Sequence, residues 1–305
     1  MSNMNKDKID MRGLVVGLGS YFLWGFFPVF WKFLAHRSPV EILAHRMLWA
    51  FVFYFLLFTL FSKEKLRALG HQDARDWRLS ILGSALLTLN WGIYVYAVNS
   101  GHILESSLAY FINPILNVAV GVFYFREAFP LPLKIAVGLA AVGVTARVGL
   151  SPEFPWISLV LASSFCIYGI TKKLSKSPAL RTSVVEGFVS FPFALAAILY
   201  FQATNPIAAS THDWFLFAAG GVVTGLPLVL FSFAAQRIPY SILGLIQFIA
   251  PSLQFLVAVA VFHEALGLHD FVSFGLIWLG ILFYIGHTLR GKFAMNAGSQ
   301  SADKI

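Results

Sequence analysis

The sequence is poor in charged residues and has almost no cysteine. Charged side chains make up 12% of its 305 residues and hydrophobic ones 58%, and the mean hydropathy is +0.75. Ordinary soluble domains are about 25% charged and about 45–50% apolar. A soluble core could not bury so much apolar surface, so the composition excludes a soluble globular protein and indicates an integral protein of a lipid bilayer. The single cysteine, Cys166, excludes an internal disulfide.

Motifs for nucleotide, metal or nucleic-acid chemistry are also missing. The chain has no Walker A motif and no Gly-rich nucleotide fingerprint, so we do not expect ATP-driven pumping by this chain alone. His263 and His269 are six positions apart instead of the four that a zinc-binding pair on one helix face needs, and we expect no metal and no cofactor. The net charge of +8 does not indicate nucleic acid, because the basic residues lie between apolar runs.

Ten apolar runs are long enough to cross a bilayer, which takes roughly 20 residues of helix. The sequence therefore predicts an all-α integral membrane protein with ten transmembrane helices. These predicted spans 1 to 10 lie near residues 13–35, 41–62, 78–99, 102–125, 132–150, 155–173, 183–202, 214–235, 240–262 and 269–289. The polar segments 1–12 and 290–305 are predicted terminal tails.

The distribution of Lys and Arg predicts the orientation. With a cytoplasmic N-terminus, 18 of these residues fall in the inside segments and 3 at the outside ends. Basic residues are concentrated on the cytoplasmic side of membrane proteins. We therefore expect a multi-pass protein with both termini in the cytoplasm, which also requires an even number of spans.

An internal repeat divides the chain into two halves. Residues 110–143 match residues 247–280 at an offset of 137 without a gap. Identical residues at this offset include Pro114 and Pro251, Glu127 and Glu264, Ala128 and Ala265, Leu131 and Leu268, Gly138 and Gly275, and Gly143 and Gly280. The pattern predicts two five-helix repeats, 13–150 and 155–289. An odd number of spans per repeat inverts the second one, and inverted repeats are typical of transporters whose substrate site lies near the membrane midplane.

Three charged residues fall within or near the start of predicted spans, where charge is costly and often functional. Arg46 in span 2 is a candidate for binding an anionic or carbonyl-bearing substrate. The structural alternative is an ion pair of Arg46 with Glu41 or Glu105, or an arginine that reaches the outer interface. Glu105 in span 4 and Glu186 in span 7 are candidates for coupling transport to protons, or simply charges that complement a helix N-terminus.

Polar residues form a stripe on span 4, and part of it recurs on span 9. The stripe comprises Ser106, Tyr110, Asn113 and Asn117, whose spacing places them on one helix face, and the repeat puts Gln247 and Gln254 at the positions of Tyr110 and Asn117. The two faces are predicted to line one substrate cavity. The alternative is interhelical hydrogen bonding, which uses the same residue types in membranes.

Prolines and aromatic residues complete the candidate site. Pro114 and Pro251 lie in mid-span, where each removes a backbone hydrogen bond, and they are candidate hinges. Polar and aromatic groups that could wall the substrate site, or serve only in packing, are Trp24, Asn90, Trp91 and Tyr94.

Several segments resemble one transporter family. Residues 104–114, together with 21–25, 41–46, 89–91 and 247–251, resemble the RarD proteins of the EamA branch of the drug/metabolite transporter superfamily. The resemblance implies ten helices in two inverted repeats, in a bacterial inner membrane, with export or permeation of small metabolites. It implies no catalytic residues.

The sequence therefore favours a secondary transporter over an enzyme. Its partners would be a small-molecule substrate, the bilayer and, as an open alternative, protons, and alternating access is the expected mechanism. A membrane-embedded enzyme or an accessory subunit is the competing hypothesis. Substrate identity, transport direction, coupling ion and oligomeric state stay open at this stage.

Overall fold

The computed structural model describes residues 10–62, 66–70, 72–148, 154–204, 209–263, 267, 271–284 and 286–287, and their regular structure is helical. In chain order the helices are α1 (Met11–Gly25), α2 (Phe27–Lys32), α3 (Pro39–Phe61), α4 (Arg67–Gly70), α5 (Ala74–Asn99), α6 (Ile103–Phe123), α7 (Leu131–Val148), α8 (Trp156–Leu174), α9 (Ala179–Thr204), α10 (Thr211–Ala235), α11 (Tyr240–Gln247), α12 (Ile249–Ala260) and α13 (Phe271–Tyr284).

Eight helical segments of the described residues are long and apolar enough to cross a membrane. They are α1 with α2, α3, α5, α6, α8, α9, α10, and α11 with α12. The shorter apolar helices α7 and α13 lie where spans 5 and 10 were predicted. An all-α integral membrane protein is thus confirmed. Residues 1–9 and 288–305, which hold most of the two predicted tails, and the repeat residue Glu264 lie outside the described residues.

Two of the membrane segments are interrupted near a proline. α1 ends at Gly25 and α2 begins at Phe27, immediately before Pro28. Because proline has no amide hydrogen, Pro28 leaves the carbonyl of Trp24 without its helical partner. The side chain of Gln254 donates to that carbonyl at 3.1 Å. The carbonyl that loses its helical hydrogen bond in one half of the chain therefore accepts one from an amide of the other half.

The main helix contacts occur in equivalent pairs. Where two helices contact each other, their counterparts in the other half of the chain also do so. α3 packs on α9, and α6 packs on α11, so each of these helices contacts its own repeat counterpart. The contact of α5 with α8 is matched by that of α10 with α1. The contact of α6 with α8 is matched by that of α12 with α1, and α3 with α10 by α9 with α5. The two halves thus interlock instead of packing as separate bundles.

The contact between α7 and α13 follows the same exchange. A Cβ atom at Gly143 would lie 2.8 Å from the carbonyl oxygen of Ser273, and one at Gly280 would lie 2.7 Å from that of Ala136. Gly143 and Gly280 are repeat partners, and so are Ala136 and Ser273, since both pairs are 137 residues apart. Small residues let membrane helices approach closely. The repeated glycines are therefore used where the two helices touch.

Two aspartates at the same offset secure helix connections. Asp76 at the start of α5 accepts hydrogen bonds from the backbone nitrogen of Ser177 at 2.7 Å and from its hydroxyl at 2.6 Å. Asp213 at the start of α10 lies 2.9 Å from His36 Nε2. Each aspartate thus ties the start of a helix to the connection that precedes α9 or α3 in the opposite half.

The glycine contact predicts a position-dependent loss of stability. Gly143→Ala and Gly280→Ala should each lower the free energy of unfolding by about 1–3 kcal/mol, because an added methyl group overpacks the interface. Tryptophan fluorescence during heating of the purified protein in detergent measures the change. Gly138→Ala and Gly275→Ala are matched controls, since nothing lies within 4 Å of a Cβ at either position. An equal loss in all four variants would contradict the proposed contact.

Candidate functional site

A cavity of about 470 Å³ lies between the two halves of the chain. Small-molecule sites usually enclose about 300–1,000 Å³. The cavity walls come from α1, α2, α3, α5, α6, α8, α10, α11, α12 and α13, so both halves contribute. Eleven of the residues predicted to line the site do so: Trp24, Arg46, Asn90, Trp91, Tyr94, Ser106, Tyr110, Asn113, Gln247, Pro251 and Gln254.

Arg46 projects from α3 into this cavity between two indole rings. Its guanidinium carbon lies 4.7 Å from the ring centroid of Trp31 and 5.0 Å from that of Trp91. Its Nε donates to the hydroxyl of Thr224 on α10 at 3.1 Å. Both alternatives that pair Arg46 with a carboxylate are wrong within the described residues: Glu41 pairs with Arg37 instead, and Glu105 forms no ion pair with Arg46.

The polar stripes of α6 and α11 meet in a hydrogen-bonded triad of amides. Gln247 Nε2 donates to Asn113 Oδ1 at 2.5 Å, and Asn117 Nδ2 donates to Gln247 Oε1 at 2.6 Å. Asn113 Nδ2 donates onward to the carbonyl of Ala162 at 2.6 Å. Asn117 is fully buried behind the other two and does not line the cavity. The triad therefore connects the two halves, and it presents Asn113 and Gln247 to the cavity wall.

Other polar groups of the wall are similarly engaged. Asn90 donates to the carbonyl of Leu161 at 2.8 Å and to the hydroxyl of Ser164 at 2.9 Å. Gln254 is held by the carbonyl of Trp24. Tyr110, by contrast, is 41% exposed and faces the cavity. The amides mainly set the shape of the site, and the aromatic rings and the guanidinium form its accessible surface.

The two predicted proton carriers lie off the cavity wall. Glu105 is buried in the first turn of α6, and its Oε2 has no hydrogen-bond partner within the described residues. Glu186 forms an ion pair with Lys172 at 2.5 Å, and Tyr168 donates to it at 3.4 Å. Glu186 and Trp91 share a separate pocket of about 20 Å³, which has room for about one water molecule. Glu186 therefore lies one small pocket away from the main cavity.

One end of the bundle, here called the sealed end, is closed below the cavity. Its floor is a buried aromatic cluster that includes Tyr21, Tyr168, Phe231 and Tyr240. Beyond the cluster, Glu127 accepts hydrogen bonds from the backbone nitrogens at the start of α11, from Tyr240 at 2.6 Å and from the next residue at 2.8 Å. Apolar packing and capped helix ends thus close this end, whereas the cavity occupies the other half, here called the cavity end.

The crossing of α6 and α11 is tighter at the sealed end than at the cavity end. A Cβ at Gly244 would lie 2.7 Å from the carbonyl oxygen of Pro114, and one at Gly121 would lie 2.5 Å from the nitrogen of Ser241. The repeat partners of these glycines are Ser107 and Ala258, which line the cavity. Equivalent positions are therefore in close contact at one end and apart at the other.

The two candidate hinges, Pro114 and Pro251, lie in different helix environments. Pro114 lies inside the continuous helix α6, and its carbonyl packs against α11 instead of facing the cavity. Pro251 lies just after the break between α11 and α12 at Phe248, and it lines the cavity. Only the second proline of the pair therefore adjoins a helix interruption.

Sequence reasoning missed Trp31 and Thr224, the two residues that hold Arg46 together with Trp91. Trp31 had a detectable signal, because it follows Trp24 by seven positions within predicted span 1, a spacing that places two residues on one face of a continuous helix. Thr224 had none, since a threonine inside an apolar run is ordinary in membrane helices. Within the described residues no cluster of His, Cys, Asp and Glu could hold a metal ion.

Comparison with known proteins gives a consistent result. The EamA-like transporter family matches residues 11–147. Protein RarD of Streptomyces exfoliatus is 38% identical over 291 residues, covering 94% of this chain and 92% of that protein. The uncharacterized transporter YojE of Bacillus subtilis (strain 168) is 34% identical over 290 residues, covering 93% and 96%. A solved protein structure superposes with a TM-score of 0.71 at 19% identity, covering 89% and 96%, which shows the same fold.

The similarity to these relatives extends over nearly the whole chain, including both predicted repeats. It agrees with the apolar helices and with the cavity between the two halves. The chain belongs to the RarD group of the EamA-like transporter family, whose members are multi-pass membrane transporters.

Proposed function

We propose that the protein is a secondary transporter that moves a small molecule across the bacterial inner membrane by alternating access. The observation that carries the proposal is a ligand-sized cavity between two interlocked halves, closed at the sealed end and expanded at the cavity end. Transport requires a site that reaches each side of the membrane in turn. A cavity closed at one end of a two-fold related assembly meets the first half of that requirement.

The proposal includes ten spans in two inverted five-helix repeats, with both termini in the cytoplasm. The exchange-symmetric contacts of the helices support the repeat. α7 and α13 would complete the count as spans 5 and 10. The predicted cytoplasmic side corresponds to the sealed end, which carries the basic residues Arg126, Lys173 and Arg237. The cavity would then face the periplasm in this state.

Exchanging the conformations of the two repeats would move the opening to the other side. Ser107 on α6 and Ala258 on α12 would then each pack closely against the opposite helix, as Gly244 and Gly121 do here, and the contacts of the sealed end would separate. Inverted repeats allow this exchange because each half can take up the conformation of the other. Alternating access would thus require only that the two repeats exchange the helix packing that each has in this state.

We further propose that Glu186, not Glu105, couples transport to protons. Glu186 adjoins the main cavity through the small pocket shared with Trp91, whereas Glu105 does not line either cavity. The charged and titratable groups that face Glu186 are Lys172 and Tyr168 on α8 and Tyr54 on α3. A proton would reach Glu186 when the pair with Lys172 separates as the sealed end opens.

A transport assay tests the main proposal. Proteoliposomes loaded with a mixture of amino acids, nucleobases and small organic acids should release one class of compound selectively. Ala258→Trp should reduce this release at least tenfold because the indole would fill the cavity, which Ala258 lines. Ala196→Trp is the matched control, because Ala196 is exposed on α9 away from the cavity. Equal release by both variants would refute a transport route through this cavity.

Reporter fusions test the inverted topology. Alkaline phosphatase fused after span 5 should be active, because an odd number of spans places that point in the periplasm. The same enzyme fused at the C-terminus should be inactive, and a fluorescent protein fused there should fluoresce. If both fusion points report the same side, the two repeats are not inverted.

Exchange of single carboxylates tests the coupling site. Glu186→Gln should flatten the pH dependence of release in proteoliposomes, because the amide carries no titratable proton. Glu105→Gln should keep the wild-type pH profile. Folding of both variants is checked by size-exclusion chromatography in detergent. A flat profile in Glu105→Gln with an unchanged one in Glu186→Gln would reverse the assignment.

A further inference from the structure

The charge on the described part of the cavity wall is positive only. Among the described residues that line it, Arg46 is the one charged side chain. The other lining groups are aromatic rings, aliphatic side chains, hydroxyls and amides. A positive charge in a membrane interior is costly unless an opposite charge or a polar group compensates it. The cavity therefore carries a cation that the described part of the protein does not neutralise.

The guanidinium has most of its hydrogen-bonding capacity left. It has five N–H donors, and only the one on Nε is used, for Thr224. Within the described residues Arg46 forms no other hydrogen bond and no ion pair. Trp31 and Trp91 hold the group in place through their rings, which accept no conventional hydrogen bond. The four N–H donors of the two Nη atoms are therefore available to a ligand.

Acidic residues do not offer a matching site for a cation. Glu41 is neutralised by Arg37, and Glu186 by Lys172. Glu105 is buried off the cavity wall. A cationic substrate would thus meet an uncompensated positive charge without a carboxylate to offset it. A zwitterion would find a partner for its anionic end alone.

The other residues of the cavity wall indicate the chemical character of the rest of the ligand. Four aromatic side chains, Trp24, Tyr94, Tyr110 and Phe165, surround the space beside Arg46. The amide nitrogens of Asn90 and Gln254 already donate to backbone carbonyls, and their oxygens stay available as acceptors. A flat or apolar body packs well on such rings.

We infer that the cavity binds a small organic anion, with its acidic group on Arg46 and an apolar or planar body against the aromatic wall. This inference rests on the proposed function, because it names the substrate class of that transporter. The planar guanidinium suits carboxylate, sulfonate and phosphate groups, since it can donate two parallel hydrogen bonds to each.

Three probes of one shape and different charge test the inference. They are benzenesulfonate, which is a permanent anion, benzenesulfonamide, which is neutral, and phenyltrimethylammonium, which is a permanent cation. Binding to the purified full-length protein in neutral detergent is followed by tryptophan fluorescence, since Trp31 and Trp91 contact Arg46. Wild type should bind the anion about tenfold to a hundredfold more tightly than the neutral probe.

Variants at Arg46 separate its charge from its structural role. Arg46→Gln should abolish the preference for benzenesulfonate, and Arg46→Lys should keep a weaker preference. Arg237→Gln removes the same charge at the sealed end, where Arg237 is exposed, and should bind as wild type does. Size-exclusion chromatography and thermal unfolding check that each variant is folded.

The outcomes distinguish this inference from the transport proposal. Equal binding of all three probes by wild type, no binding of any, or an unchanged preference in Arg46→Gln would each overturn the anion site. Release of a neutral or cationic compound from proteoliposomes, without anion preference in binding, would do the same while transport stands. Anion-selective binding that depends on Arg46, without release of any solute, would support the site and count against transport.

Discussion

The close crossing of α6 and α11 is the contact on which the rest of the structure depends. These helices are repeat counterparts, and they meet through the triad of Asn113, Asn117 and Gln247 and through glycine contacts at the sealed end. In a bilayer the apolar side chains gain little from leaving lipid, so packing and interhelical hydrogen bonds must hold helices together. The triad and the glycines supply both. Because the crossing is tight at one end only, it also creates the space for the cavity at the other.

The cavity then follows from how each half completes the other. Arg46 on α3 is held by Thr224 on α10. Gln254 satisfies the carbonyl that Pro28 leaves unpaired. In each case a polar or interrupted element in one half finds its partner in the other half. The site is therefore a property of the interface between the halves, and neither half alone would form it.

Much of this could be predicted from the chain as written. Helix positions and the all-α membrane class followed from apolar runs, because a bilayer requires about 20 apolar residues per helix. The offset of 137 brought Gly143 and Gly280 together as a pair, and the structure uses them in equivalent contacts. The polar stripe of α6 was recognised from its spacing. The residues of this stripe have different roles, because Asn117 belongs only to the amide triad whereas Tyr110 faces the cavity.

The sequence by itself determined which segments are apolar enough to enter the membrane, where charge is unusual, and which residues match at an offset of 137. These depend on local composition and on spacing along one chain. Only the tertiary structure decided that Arg46 pairs with Thr224 and two indole rings instead of a carboxylate, and that Glu186 pairs with Lys172. The partner of each charged side chain depends on which helix faces meet in the folded protein. Several helices carry residues that could have been that partner. Glycines at several helix contacts let the backbones approach closely, and the folded structure alone shows which faces do so.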